Sequence, residues 1–108
     1  MKRGDIVTTV LPGDYGKPRP AVVVQSDQLK DMGSVILCPF TSDLAPSGTI
    51  RVTVDPSTEN GLKLTSSLMT DKISALPREK CGNVVGRLDE TTMQRVDEAL
   101  VFVLGLAD

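Results

Sequence analysis

The 108-residue chain has no histidine and no tryptophan, and the missing histidine narrows its chemistry most. Without it there is no Ser-His-Asp or Cys-His nucleophile pair, no two-histidine ribonuclease mechanism and no ordinary catalytic zinc site. Any catalysis falls to Arg, Lys, Asp, Glu, Thr, Ser or Tyr. One Tyr and two Phe leave the core to aliphatic side chains and argue against base stacking as the main way of holding a nucleic acid. Cys38 and Cys81 match no metal or redox spacing, and Cys38, at the end of an apolar run, reads as a small core residue. No apolar run approaches membrane-spanning length and none follows Met1 as a leader would, so a reduced cytoplasm is the expected location. A net charge of −2 is no nucleic-acid footprint, so any such binding must be local and groove-like. Lys2, Arg3, Lys17 and Arg19 cluster near the N-terminus.

What the chain does have is concentrated in one stretch, Gly13-Asp14-Tyr15-Gly16-Lys17-Pro18-Arg19-Pro20, followed by Ala21 to Val24 and Gln25-Ser26-Asp27. The first eight residues are turn formers and are expected to be neither strand nor helix. The next four are nearly pure valine, as in a strand buried on both faces. Pro18 and Pro20 bracket Arg19, and Pro20 pushes it into extended geometry. A planar, permanently charged fork held stiffly at a strand mouth suits phosphate binding. The same residue also fits a solvated arginine beside a rigid turn.

In order, the pattern predicts strands over Asp5 to Val10, Ala21 to Ser26, Ser34 to Phe40, Thr49 to Val54, Leu64 to Ile73 (continuing to Pro77) and Cys81 to Leu88. A single helical turn is expected at Gln28 to Asp31, and another that Asn60-Gly61 would cap. From Asp89 the period changes: Met93, Val96, Leu100, Val103 and Leu104 recur at helical spacing, with Asp89 as N-cap, Glu90 in the first turn and Gly105 as terminator. The expected fold is α+β: one domain, 1–108, a small antiparallel barrel or coiled sheet with a C-terminal helix packed on it. Ala99, Val101 and Phe102 widen the helix's apolar girth, so it is either deeply buried or meets a second subunit.

Lys2-Arg3-Gly4-Asp5-Ile6-Val7, the Gly/Pro loop, Arg19-Pro20-Ala21-Val22-Val23-Val24, Pro39-Phe40-Thr41-Ser42 and Leu88 to Leu104 together resemble the MazF/PemK family of toxin endoribonucleases over nearly the whole chain. The resemblance implies an SH3-like barrel with a C-terminal helix, shared with CcdB-type toxins. It also implies homodimers, a cognate antitoxin and no cofactor. The matching arginine of that family is catalytic, which the resemblance carries onto Arg19. An arginine stabilises a pentacovalent phosphorane well, and losing such a contact typically costs about 3–4 kcal/mol of barrier. It is a poor general base, its pKa lying above about 12. Thr41 matches the family's active-site threonine and would hydrogen-bond the scissile phosphate, with Ser42 beside it. On its own a threonine at a strand end reads as a turn hydroxyl bonding its own backbone.

Asp14 matches a loop acid given a proton-transfer role in some members, and equally fits an aspartate starting a turn. Lys17 is a candidate RNA contact or a solvated cation. Gln25 matches a common family position with an unspecified hydrogen-bonding role. One branch of the family carries an arginine two residues before an aspartate; here Met69 precedes Thr70-Asp71, so that branch's mechanism does not transfer. Asp71 is left as an orienting group, a base or a strand-end residue.

The implied activity is metal-independent, sequence-selective cleavage of single-stranded RNA by 2′-OH attack, leaving a 2′,3′-cyclic phosphate and a free 5′-OH. An acidic, disordered segment of the antitoxin would fold into the same groove. The rival is a non-enzymatic, CcdB-like poison of DNA gyrase. The group that shares the barrel uses a tryptophan near its C-terminus for that contact, and this chain ends Leu104-Gly105-Leu106-Ala107-Asp108.

Overall fold

In the computed structural model, residues 1–11, 15–44 and 50–108 are described. The strands are β1 (Asp5–Thr9), β2 (Arg19–Val23), β3 (Ser34–Thr41), β4 (Arg51–Val54), β5 (Ser66–Met69), β6 (Ser74–Pro77) and β7 (Cys81–Arg87), and the helix α1 spans Glu90–Val103. All described pairings are antiparallel, in the order β4-β5-β3-β2-β1-β7, with β6 also beside β3. The expected mainly-β fold with one late helix is the one found.

The valine run occupies the middle of this sheet, and its two faces feed two clusters. Val22 packs with Ile6, Cys38, Phe40, Val52 and Leu68 beneath Val96, Ala99 and Leu100 of α1. Ala21 and Val23 point the other way, into Val7, Val35 and Leu37, with Leu76 and Cys81 against them. Burial on both sides is why this strand shows no polar alternation. Ile6, Leu37 and Leu68 are fully buried, each worth about 1.5–3 kcal/mol of transfer free energy.

β3 serves two sheets. Ser34 to Leu37 pair with β6, whereas Phe40 and Thr41 pair with β5. Pro39, with no N–H to give a ladder, sits at the changeover. The apolar run expected as one strand from Leu64 onward therefore splits, with a 3₁₀ turn at Thr70–Lys72 between β5 and β6. Neither segment can follow a β3 that changes partner halfway. The expected turn near Gln28 is a 3₁₀ turn over Asp27–Leu29, capped by Ser26. A second correction concerns Arg19 and Pro20, read as loop, which are the first residues of β2 and pair with Thr9 and Thr8. Proline is tolerated at a strand's beginning, and it holds Arg19 extended.

Gly86 shows how tightly the loop before β5 clamps the sheet: a Cβ there would lie 2.2 Å from the Asn60 backbone. The Arg87 amide donates to the Glu59 carbonyl at 2.8 Å. The buried Asn60 side chain accepts from the Ser57 and Leu62 amides, each at 2.9 Å, and donates to the Asp55 carbonyl at 2.8 Å.

At the start of α1 the Asp89 carboxylate accepts from the Thr92 amide at 2.7 Å, as an N-cap does. Gly105 takes φ +68°. The Leu106 amide reaches the Val101 carbonyl and the Gly105 amide the Phe102 carbonyl, the two bonds of a Schellman ending. Val96, Ala99 and Leu100 face the core, while Phe102 and Leu106 are 65% and 71% exposed. Deep burial of the whole helix is thereby excluded, leaving an apolar face open. No described helix is long and apolar enough to cross a membrane.

Candidate active site

The β2–β3 register pairs Ala21 with Pro39, Val22 with Cys38 and Val23 with Leu37. Continued by two residues, it sets Arg19 opposite Thr41. One residue opens its strand and the other closes its own, so both lie at the same end of the sheet with side chains on one face. Two cavities meet there. One, of about 750 Å³, runs from Arg19 and Thr41 past Pro39, Met69 and Lys72 to Ser74, Ala75 and Leu76. The other, of about 410 Å³, runs past Pro18 and Pro20 to Leu62, Lys63, Leu64 and Val85. Arg19, Phe40, Thr41 and Ser42 line both. The result is a two-lobed cleft with a guanidinium and two hydroxyls at its waist and a lysine in each lobe.

The hydroxyls are held by local structure. Thr41 Oγ1 accepts from the Asp43 amide at 3.2 Å, the short-range bond expected of a threonine ending a strand. Directly across β5 from Thr41 is Ser67, 2% exposed, whose Oγ has no hydrogen-bond partner among the described residues. An unsatisfied buried hydroxyl costs about 1–3 kcal/mol. Thr9 Oγ1 donates to the Arg19 carbonyl at 3.4 Å, tying the arginine's backbone to β1.

The other predicted residues divide. Ser42 is exposed at the waist. Lys17 is exposed ahead of β2 and lines neither lobe. Asp14 lies outside the described residues. Gln25 is at the far end of β2, about 20 Å along the strand from Arg19. It is buried there, its Nε2 donating to the Leu29 carbonyl at 3.2 Å and its Oε1 accepting from the Ile36 amide at 3.3 Å. The structure thus gives Gln25 a structural part. An amide that anchors a turn to β3 is not available to a ligand at the other end of the strand.

Asp71 is gripped by Arg51, whose Nε and Nη2 donate to Oδ1 and Oδ2 at 3.0 and 3.2 Å. That hydrogen bonding holds its carboxyl below the usual aspartate range, which makes it a poorer base. Its two oxygens are both taken up by Arg51. Arg51 is the cross-strand partner of Met69, so a guanidinium stands one strand away from the position where the sequence shows methionine.

Sequence reasoning missed Lys63, Lys72, Arg51 and Ser67. Each is far from Arg19 in the chain: Lys63 and Lys72 line the lobes from a loop and a 3₁₀ turn, while Ser67 and Arg51 stand on β5 and β4 beside them, so no local pattern marks any of the four. The N-terminal cationic cluster is dispersed instead: Arg3 forms an ion pair with Asp97 on α1 and donates from Nε to the Val24 carbonyl at 3.0 Å.

The family model described as "PemK-like, MazF-like toxin of type II toxin-antitoxin system" matches residues 2–104. The chain is 43% identical over 108 residues to "Probable endoribonuclease MazF" of Mycolicibacterium smegmatis, covering 99% of each. It is 25% identical over 114 residues to "Endoribonuclease EndoA" of Bacillus subtilis, covering 100% of this chain and 97% of the other. Among solved structures it is similar, with a TM-score of 0.82 at 22% identity, to "Endoribonuclease in complex with its cognate antitoxin from Mycobacterial species", over 98% of this chain and 96% of that one. With "MazE-MazF (Form-II) from Deinococcus radiodurans" the TM-score is 0.78 at 19% identity, over 97% and 95%.

Proposed function

The chain belongs to the PemK-like, MazF-like toxins of type II toxin–antitoxin systems, and from that premise we propose that it is an endoribonuclease cutting single-stranded RNA in the two-lobed cleft. The observation that carries this reading is that Arg19 and Thr41 line both cavities where they meet, with open space on either side for the strand to enter and leave.

The reaction is attack of a 2′-OH on the adjacent phosphate. The bond from phosphorus to the 2′ oxygen forms, the bond to the departing 5′ oxygen breaks, and the products are a 2′,3′-cyclic phosphate and a 5′-OH. Arg19 neutralises charge building on the non-bridging oxygens of the phosphorane, the step where a fixed cation helps most. Thr41 and Ser42 donate hydrogen bonds to those oxygens. Asp14 is the group assigned to proton transfer, and Lys63 and Lys72 hold flanking phosphates. The reaction calls for neither metal nor cofactor. Specificity comes from unpaired base edges meeting the walls of the two lobes.

The whole of 1–108 acts as one domain, in the cytoplasm, and pairs with a second copy. A cognate antitoxin inserts an acidic, disordered segment into the same cleft. The gyrase-poison reading is not favoured: the relatives are named endoribonucleases, and a protein-docking poison has no use for an arginine facing a threonine across a cleft. The test is incubation of the purified protein with a long single-stranded RNA in excess EDTA, followed by mapping of the ends. Discrete cuts with 5′-OH termini, absent with Arg19→Ala, are expected. Intact RNA with growth arrest retained in cells would overturn the reading.

A further inference from the structure

We propose that Ser67 is a positioning residue that sets the hydroxyl of Thr41 for the phosphate. The inference rests on the reading of Thr41 as a phosphate contact and extends it one strand inward. Thr41 and Ser67 are direct cross-strand partners, and Cβ atoms so placed stand about 4.5–5.5 Å apart. Their neighbours Phe40 and Leu68 turn into the core, so Thr41 and Ser67 share the opposite face of the pair. At that spacing a serine χ1 rotation can carry the Ser67 hydroxyl toward Thr41 while Thr41 stays on the Asp43 amide.

A hydroxyl has one proton to give and two lone pairs to offer. On Thr41 one lone pair takes the Asp43 amide. With the Ser67 proton on the other, the Thr41 proton is left to point outward into the cleft, where the phosphate oxygen lies. The chain from Ser67 through Thr41 to the phosphate also polarises each link. Thr41 needs this support because it is the last residue of β3, with no further strand pairing to fix its side chain.

Ser67 lines neither lobe and is 2% exposed, so it touches no substrate and acts only through Thr41. A role in stability alone does not account for it. A nearly sealed strand position with an unpartnered hydroxyl is one that alanine fills without loss, and buried polar atoms left unpaired call for a functional reason.

The experiment compares wild type, Ser67→Ala, Ser67→Cys and Thr41→Ala on an RNA oligonucleotide bearing a mapped cut site, with thermal melting of each. The expected result for Ser67→Ala is a kcat lower by about fivefold to tenfold, with KM within about twofold of wild type and no fall in Tm. Ser67→Cys, of similar shape with a weaker donor, falls between. A Ser67→Ala enzyme with wild-type kcat overturns the proposal, as does one whose loss of kcat comes with a raised KM and a lowered Tm. Full activity in Thr41→Ala would overturn the premise itself, so the two failures are told apart in one assay.

Discussion

The two ends of β2 carry polar side chains of opposite fate. Arg19, at the mouth, is exposed above a cleft that holds hydroxyls and lysines. Gln25, just past the other end, is buried, and both its amide oxygen and nitrogen are spent on Ile36 and Leu29. The segment from Arg19 to Gln25 therefore presents one group outward into a cleft and seals the other inward on backbone hydrogen bonds. A polar residue next to an apolar run says nothing about its role until its hydrogen bonds are accounted for.

That contrast can be broken most forcefully at Arg19. Substitution by Ala is expected to lower single-turnover cleavage by about 10²–10³-fold while leaving the melting temperature near wild type, since the side chain is exposed. Gln25→Ala should do the reverse. Leaving the Ile36 amide unpaired in a buried setting costs about 1–3 kcal/mol, seen as a lower urea midpoint, with cleavage per folded molecule unchanged. Equal loss of activity in the two variants would dissolve the distinction.

A smaller effect is expected at Asp71, which resembles Gln25 in that its acceptors are occupied. Asp71→Asn should cost about 1 kcal/mol through the loss of a charge-assisted bond to Arg51, a drop of a few degrees in Tm, with kcat changed little. The pH dependence follows from the same contact. Because the folded carboxyl titrates below its usual range, the pair stabilises the protein fully above the ordinary aspartate value of about 3.9. Its contribution is lost as pH falls through the lowered value. Urea midpoints of wild type and Asp71→Asn should differ at about pH 6 and draw together as the pH falls below the ordinary aspartate value. A constant difference across that window would refute the assignment.

Arg19 and Thr41 were legible as candidates because both sit at chain features with local signatures. Arg19 is trapped between prolines ahead of a valine run, and Thr41 follows Pro39-Phe40 at the end of another. Antiparallel register then brings them together. Ser67 and Arg51 were not legible, because one is a serine among serines and the other a charge on a half-exposed strand. Their meaning depends wholly on which strand pairs with which.

The sequence by itself determined a run of short strands before one late helix, the double-faced core strand, both ends of α1 and the absence of histidine chemistry, since each rests on residues near one another in the chain. Only the tertiary structure decided that β3 divides between two partners, that Asp71 is held by Arg51, that Gln25 bonds Leu29 and Ile36, and that Ser67 pairs with Thr41. These are relations between strands distant in sequence, and hydrogen-bond register, which no local propensity encodes, sets them.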